Sequence, residues 1–436
     1  MVRWKGLLIL VLGSTLVEGC PSSSSAQTLR IAVLPFVTAT GAAERSWLSR
    51  ALAGSLWSDL SAVRSLKVLP RGTVYRYLAK LPPRSPSEMI PAVVSKFRCD
   101  LIVTGSFDGA NDHLTITATI VALASPPITV TVSGPLSELL DLQDRLSLRV
   151  IESLGVPLAE REKEKVLEKP TNSLEAYILF CQAAEAWDGE EKPIGDVDQA
   201  IRLLERALEI DPRFYKAAVN LGIALERKDL LAPAERAYRQ AIAHQPPDFP
   251  LAHYALAGLY EKAGLLDKAL SEADRALKAD SSFVPGWVRK GYLAYLQGRF
   301  AQALSDFQQA LQLDPEYALA WNNIGLVHLR EGRTAEAERS FRKVLELDND
   351  DEASAYAHNN LGNLFRRRGD FTAAMAQYLL AIGKKDDFAI AWANLGDMHL
   401  RFGDRVQAMQ CYERALKLDP SLSPVRRKLQ EVQRSQ

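Results

Sequence analysis

From residue 173 onward, apolar residues recur every three to four positions, a spacing that places them along one face of a helix. Within this region a small residue returns at steps of 34 to 37 positions. It stands at Gly222, Ala257, Gly291, Gly325, Gly362 and Gly396. A fixed period of this length predicts a helical unit that is repeated along the chain.

Twelve positions after each small residue comes an alanine, and four positions later usually an aromatic residue, as at Ala234 and Tyr238. We interpret each repeat as two packed helices, in which the small residue on the first helix lets the second come close. Glycine inside a helix costs roughly 1 kcal/mol relative to alanine, so we expect tight packing to offset that cost. The predicted repeat-packing residues are Gly222, Gly291, Gly325, Gly362 and Gly396.

The period, the residues at the packing positions and the Asp-Pro pairs after the second helices resemble the tetratricopeptide repeat. This resemblance implies an all-α superhelical solenoid of seven repeats over residues 173–420, the first stretched by an insertion between Trp187 and Val197. Residues 421–436 are expected to form a capping helix. Solenoids of this kind bind other proteins and seldom catalyse reactions.

Residues 28–155 show a different pattern, with a buried strand near Leu29, an amphipathic helix after Trp47 and a further strand near Leu101. Around Leu114 and Ile128 the apolar residues alternate with threonine, which predicts two antiparallel strands with one buried face and one solvent-exposed face. A final helix runs from about Leu136. The sequence therefore predicts a compact α/β domain with a mixed sheet.

Three segments carry a resemblance to the N-terminal domain of TolB and to TolB-like modules fused to tetratricopeptide repeats. They are Ile31-Ala-Val-Leu-Pro-Phe36, Leu101-Ile-Val-Thr-Gly-Ser106 and Asp141-Leu-Gln-Asp144. The lipoprotein family of curli secretion begins with a similar strand and turn. Residues 156–172 form a charged linker, for which mixed charges at helical spacing predict a solvated connecting helix.

The N-terminus carries a short basic region at Arg3 and Lys5, followed by an apolar run too short to span a bilayer. The segment Val17-Glu18-Gly19-Cys20 resembles the lipobox of bacterial lipoproteins. We therefore expect a signal peptide over residues 1–19, lipidation of Cys20 and a flexible tether over residues 20–27. The resemblance favours the outer membrane, facing the periplasm. Cleavage after Ala26 would instead release a soluble periplasmic protein.

Composition excludes several classes of function. The 436 residues include 53 basic and 53 acidic side chains, so no overall field favours nucleic acid as a partner. Cys99, Cys181 and Cys411 lack the paired spacing of a metal or redox motif and are interpreted as buried thiols. The six histidines do not cluster, and no nucleotide-binding or hydrolase motif is found. We predict no cofactor, no metal and no catalytic residue.

A polar row is expected on the concave face of the solenoid, two positions before the small residues. Asn220, Asn323, Asn360 and Asn394 occupy this position, together with Ala255 and Arg289. An amide both donates and accepts hydrogen bonds, so such a row suits the backbone of an extended peptide. Local hydrogen bonding between repeats is the alternative interpretation.

Arginines gather at the ends of the first helices, at Arg330, Arg366, Arg367 and Arg401. They could favour the negative ends of those helices, or face the groove and select acidic segments. We therefore expect an interaction scaffold that tethers unknown protein or peptide partners to a membrane through a lipid anchor. A subunit of an outer-membrane export or assembly machine, and an enzyme of unrecognised type, are the alternatives.

Overall fold

The computed structural model describes residues 29–38, 46–79, 81, 86–110, 112–122, 125–187 and 196–434. The predicted signal peptide, Cys20 and the tether lie outside these residues. So does most of the predicted insertion between Trp187 and Val197.

A five-stranded mixed sheet forms the first part of the described chain, as the sequence predicts. Its strand order is β2-β1-β3-β4-β5, with β1 parallel to β2 and β3 and the remaining pairs antiparallel. The strands are β1 (Leu29–Thr38), β2 (Leu66–Val68), β3 (Leu101–Ala110), β4 (His113–Ala122) and β5 (Ile128–Pro135). Parallel neighbours need crossover connections, whereas β3, β4 and β5 follow one another through short turns.

Helices cover both faces of the central strands. Ile31 and Val33 of β1 face one core, and Ala32 and Leu34 face the other, because successive side chains of a strand point to opposite sides. The helices are α1 (Ser46–Ser61), α2 (Arg71–Ala79), α3 (Pro86–Phe97) and α4 (Leu139–Ser153), the last preceded by a 3₁₀ turn at Leu136–Glu138. Helices α1 and α4 belong to the first core, and α2 and α3 to the second.

Seven antiparallel helix pairs and a final helix make up the rest of the described chain. They are α6 (Leu174–Trp187), α7 (Val197–Ile210), α8 (Tyr215–Arg227), α9 (Leu231–His244), α10 (Leu251–Lys262), α11 (Leu266–Ala279), α12 (Val284–Leu296), α13 (Phe300–Leu313), α14 (Ala318–Arg330), α15 (Thr334–Leu347), α16 (Asp351–Arg367), α17 (Phe371–Lys384), α18 (Ala389–Arg401), α19 (Arg405–Leu418) and α20 (Ser423–Arg434). Below, repeat 1 is the pair α6 and α7, and repeat 7 is the pair α18 and α19. Each pair stacks on the next, which gives the predicted solenoid.

Within a repeat, the aromatic ring of the second helix packs against the small residue of the first. A Cβ added at Gly222 would come within 2.3 Å of Cε1 of Tyr238, and one at Gly325 within 2.5 Å of Cε1 of Phe341. The same relationship joins Gly291 to Phe307, Gly362 to Tyr378 and Gly396 to Tyr412. All five rings are fully buried, and each occupies the space that a side chain at the facing glycine would need.

The α/β domain packs directly on the first repeats. Helix α1 contacts α6, and one continuous apolar core runs from β1 through repeats 1 to 3. Across this interface Gln143 Nε2 donates a hydrogen bond of 3.0 Å to the hydroxyl of Tyr177. Within the α/β domain beside it, Ser147 Oγ of α4 donates one of 2.6 Å to the carboxylate of Asp59 on α1. The α/β domain and the first repeats therefore share a hydrophobic core and are not independent domains joined by a flexible linker.

The charged linker forms a short helix with mostly exposed charges, as the sequence predicts, but it is also tied to the rest of the fold. Helix α5 (Glu160–Val166) buries Val166, which is 1 % exposed, and bonds to both of its neighbours. Glu162 accepts a hydrogen bond of 2.9 Å from the backbone N–H of Arg64, and Lys165 lies 3.0 Å from Asp248 in the loop before α10. The alternating charges correctly predicted that most of this helix is exposed. They did not predict that Glu162 and Lys165 contact residues of other elements.

Candidate functional site

The first helices of successive repeats lie side by side, and α8, α10 and α12 together line an open cavity of about 690 Å³. Asn220, Ala255 and Arg289 line it, which places the sequence-predicted groove positions of repeats 2 to 4 on this wall. The rim is apolar: Ile223, Leu251 and Leu296 are each about two-fifths exposed. Exposed apolar side chains grouped around a cavity mark an interaction surface.

A half-buried ion pair of Arg289 and Glu261 lies in this cavity. Nη1 of Arg289 lies 2.8 Å from Oε2 of Glu261, and the guanidinium lies 4.1 Å from the ring centre of Tyr254. Burial raises the pKa of the Glu261 carboxyl, and the charge of Arg289 opposes that shift. The arginine that replaces asparagine at this groove position is therefore held between a carboxylate and an aromatic face.

Sequence reasoning missed this cavity and placed the strongest candidate surface in repeats 5 to 7. The sequence feature that could have revealed it is the apolar character of Ile223, Leu251 and Leu296, which are additional to the residues that form the buried face of their helices. Periodicity alone does not distinguish such residues from ordinary core positions.

The asparagines of repeats 5 to 7 form a hydrogen-bonded row. Nδ2 of Asn360 donates to Oδ1 of Asn322 at 3.0 Å, and Nδ2 of Asn394 donates to Oδ1 of Asn359 at 2.8 Å. Asn323 accepts a longer bond of 3.4 Å from its neighbour Asn322. Asn322 and Asn359 are buried, whereas the three groove asparagines are half-buried. Each repeat thus holds the amide of the next in a fixed orientation.

In this row the amide nitrogens of Asn360 and Asn394 are used as donors, whereas their amide oxygens remain available as acceptors. The side-chain nitrogens of Asn360 and Asn394 donate within the row, while no residue in the described part of the chain donates to their side-chain oxygens. Local hydrogen bonding and a ligand-binding role are therefore compatible, because only one side of each amide is used. The surface offers acceptors for the N–H groups of a bound backbone. Asn220 lies apart from this row, in the cavity of repeats 2 to 4.

The four arginines all lie in the last turn of a first helix and are exposed. Nε of Arg330 donates a hydrogen bond of 3.0 Å to the hydroxyl of Tyr295, and the guanidinium of Arg401 lies 4.5 Å from the ring centre of Phe371. Arg366 and Arg367 stand side by side at the end of α16. None of the four forms an ion pair with a carboxylate of the described residues. Their charges are available to an acidic partner.

Histidines and cysteines contribute to packing. Nδ1 of His253 lies 2.7 Å from Glu272, and Nδ1 of His358 lies 2.8 Å from Gln377, in each case joining the two helices of one repeat. Cys99, Cys181 and Cys411 are buried free thiols, which confirms their interpretation. Among residues that the structure describes, no group of histidine, cysteine and acidic side chains has the arrangement of a metal site. None of the described helices is both long and apolar enough to cross a bilayer.

The tetratricopeptide repeat family matches this chain over residues 194–234, 231–282, 288–352 and 335–387, and again over residues 389–422. These matches cover about half of the chain, and their positions coincide with the helix pairs described above. The chain belongs to the tetratricopeptide repeat family. Proteins of this family are protein-interaction scaffolds and are generally not enzymes.

Curated relatives match part of this chain. The putative adenylate cyclase 3 of Rhizobium meliloti (strain 1021) is 26 % identical over 195 residues, which are 44 % of this chain and 32 % of that protein. The Hsp70-Hsp90 organizing protein 2 of Arabidopsis thaliana is 27 % identical over 109 residues, which are 25 % of this chain and 19 % of that protein. The chain thus spans a third or less of the length of these relatives.

Solved structures of similar fold include a tetratricopeptide repeat protein from Parabacteroides merdae. It is 18 % identical, covers 60 % of this chain and all of its own, and has a TM-score of 0.48. YrrB, described as a tetratricopeptide repeat protein with an unusual peptide-binding site, is 21 % identical and has a TM-score of 0.28. It covers 44 % of this chain and 98 % of its own.

Proposed function

We propose that this protein is an envelope scaffold that binds extended segments of partner proteins in the groove of repeats 5 to 7 and holds them at a membrane. The observation that carries the proposal is the oriented amide row of Asn323, Asn360 and Asn394. The side-chain oxygens of Asn360 and Asn394, which accept no hydrogen bond from the described residues, suit the N–H groups of an extended backbone. Recognition of the backbone would make the surface tolerant of different side chains.

The exposed arginines beside this row supply selectivity for acidic segments or a free C-terminal carboxylate. Arginine binds carboxylates through two parallel hydrogen bonds. Arg366 and Arg367 lack a carboxylate partner among the described residues, so a ligand carboxylate would not have to displace an existing ion pair. Glu338, on the second helix of repeat 5, pairs with Arg368 and Arg342 instead.

Tethering rests on the sequence of the N-terminus. The basic residues, the short apolar run and the Val17-Glu18-Gly19-Cys20 segment support lipidation of Cys20, with the outer membrane as the favoured location. The TolB-like character of residues 28–155 belongs to the same proposal. In that arrangement the α/β domain stands between the anchor and the repeats, and it spaces the groove from the bilayer.

Affinity capture from cell envelopes, followed by mass spectrometry, tests the proposal. The intact protein is compared with a Cys20→Ser variant and with a triple variant in which Asn323, Asn360 and Asn394 are replaced by alanine. We expect a defined set of partners with the intact protein, loss of membrane association with Cys20→Ser, and loss of the partners with the triple variant. Unchanged membrane association of Cys20→Ser would refute the tether, and unchanged capture by the triple variant would refute the groove.

A further inference from the structure

The α/β domain touches the solenoid a second time, far from the shared core. Arg30 of β1 and Lys67 of β2 meet the loop between α13 and α14, where Lys67 Nζ lies 2.7 Å from Asp314 and 3.0 Å from Glu316. Lys96, in the last turn of α3, lies 2.8 Å from Asp348 in the loop between α15 and α16. These pairs join residues 247 to 286 positions apart in the chain. They connect the N-terminal domain to repeats 4 to 6.

This second contact has a different chemistry from the first. The apolar cluster formed by α2 and α3 is confined to the α/β domain. Among the described residues of repeats 4 to 6, Leu293 alone belongs to an apolar cluster that includes the α/β domain, and the other clusters there contain solenoid residues only. Clefts of about 650 and 150 Å³ separate the two surfaces beside the ion pairs. In these ion pairs the α/β domain contributes the cations and the repeat loops contribute the carboxylates, although Asp348 also pairs with Lys384 of α17.

The two contacts close a loop in the molecule. A solenoid repeat normally touches only its neighbours, so that small rotations accumulate freely along the stack. Here the domain is fused to repeats 1 to 3 through an apolar core and joined to repeats 4 to 6 through ion pairs. The curvature of the intervening repeats is fixed only while both contacts persist.

We propose that Arg30, Lys67 and Lys96, with Asp314, Glu316 and Asp348, form an electrostatic latch that holds the solenoid closed against the α/β domain. Release of the latch lets repeats 5 to 7 swing away, with the apolar contact of α1 and α6 as the fixed end. Partly exposed ion pairs are weak and are screened by salt, whereas the apolar core is not. The inference concerns conformation and does not depend on what the groove binds.

The distance between spin labels at Glu88→Cys on α3 and Thr372→Cys on α17 tests the latch. The labels are placed in the full chain with Cys20→Ser, because the cysteines at 99, 181 and 411 are buried. Raising the ionic strength from about 0.1 M to about 1 M shortens the screening length from about 10 Å to about 3 Å. We expect the distance distribution to move to longer values by an amount on the order of one helix spacing, about 10 Å.

Charge reversal separates the latch from general effects of salt. Lys67→Glu with Lys96→Glu is expected to give the long distance already at low salt, and the further changes Asp314→Lys and Asp348→Lys to restore the short one. A matched control is Lys228→Glu with Lys262→Glu, which alters charge equally but breaks ion pairs between neighbouring repeats. Lys67→Gln with Lys96→Gln serves as a milder variant should the reversal prevent folding. A distance that is unchanged in the folded latch variants, or that lengthens as much in the control, would overturn the proposal.

Discussion

Cε1 of Tyr378 lies 2.6 Å from the point at which an alanine at position 362 would place its Cβ. The ring is fully buried and its hydroxyl donates a hydrogen bond of 2.9 Å to Asn363, so it is held from both ends. Neither partner can move without disturbing the stack of repeat 6. The glycine is therefore required by the ring, although it lies within a helix.

We expect Gly362→Ala to lower the free energy of unfolding by about 1–3 kcal/mol, because overpacking of a filled site outweighs the gain in helix propensity. Gly383→Ala is the matched control. It lies in the neighbouring helix α17 with no heavy atom within 4 Å of its added Cβ, so the protein should become as stable or slightly more stable. Chemical denaturation of both variants measures the difference. Equal stability of the two would contradict the packing account.

Asp59 predicts a pH dependence of stability. Burial raises the pKa of its carboxyl to about 7, while hydrogen bonds from Ser147 and Ser55 and the charge of Lys216 oppose the rise and Asp144 adds to it. An acid with a raised pKa in the folded state favours folding at low pH. Its contribution is present below about pH 4 and is lost as the pH rises to about 7.

We therefore expect Asp59→Asn to be more stable than the wild type at pH 8, by an amount on the order of a few kcal/mol, and to match it more closely near pH 4. The asparagine can still accept the hydrogen bond from Ser147, and Lys216 and Asp144 titrate in both proteins. Urea denaturation across this range checks the difference. A difference between the two proteins that is independent of pH would exclude titration of Asp59 as the cause.

The amide row makes a third prediction. Replacement of Asn323, Asn360 and Asn394 by alanine removes three half-buried amides, of which two donate to buried neighbours. We expect the helical circular dichroism to be retained and the unfolding free energy to fall by roughly 1–3 kcal/mol in total, as one or two buried acceptors lose their partners. Capture of partners should fall at least tenfold. Asn220→Ala, outside this row, is the control and should leave capture by repeats 5 to 7 unchanged.

A fourth prediction concerns Arg366 and Arg367. Their reversal to glutamate should abolish binding of a fluorescein-labelled peptide of eight glutamates, while leaving stability within about 0.5 kcal/mol of the wild type, because both side chains are exposed. Fluorescence anisotropy at increasing salt measures the effect. Arg368→Glu is the control, since that arginine already pairs with Glu338 at 2.7 Å. If wild type fails to bind the peptide, or binding by the reversed variant equals that of wild type, selection of acidic segments is wrong.

Most of the architecture was accessible from the sequence because it depends on local periodicity. Gly222 and Tyr238 reveal a helix pair since their spacing is repeated down the chain, and the alternation around Ile116 reveals a strand with one buried face. Contacts between residues that belong to no repeating pattern could not be predicted from the sequence. Lys67 and Asp314 lie 247 residues apart, and nothing in the sequence around either residue identifies the other as its partner.

The candidate site divides in the same way. The position of the amide row follows from the repeat register, but the donation from Asn394 to Asn359, which fixes its orientation, depends on the stacking angle of consecutive repeats. The cavity of repeats 2 to 4 likewise arises from three helices at once. Charges at Glu162 and Lys165 were correctly assigned to a helix, while their partners at Arg64 and Asp248 come from two other parts of the fold.

The shared core between α1 and α6 also bears on how the array ends. A stack of repeats leaves an apolar face at each terminus, and that face needs a cover. At the C-terminal end α20 provides it, burying Val425 and Val432 and pairing Lys428 with Asp397. At the other end the whole α/β domain does so, contacting α6 with α1. Removing the α/β domain would therefore not produce an independent binding module. It would expose the apolar face of repeat 1 to solvent, and the truncated solenoid would be prone to associate through that face.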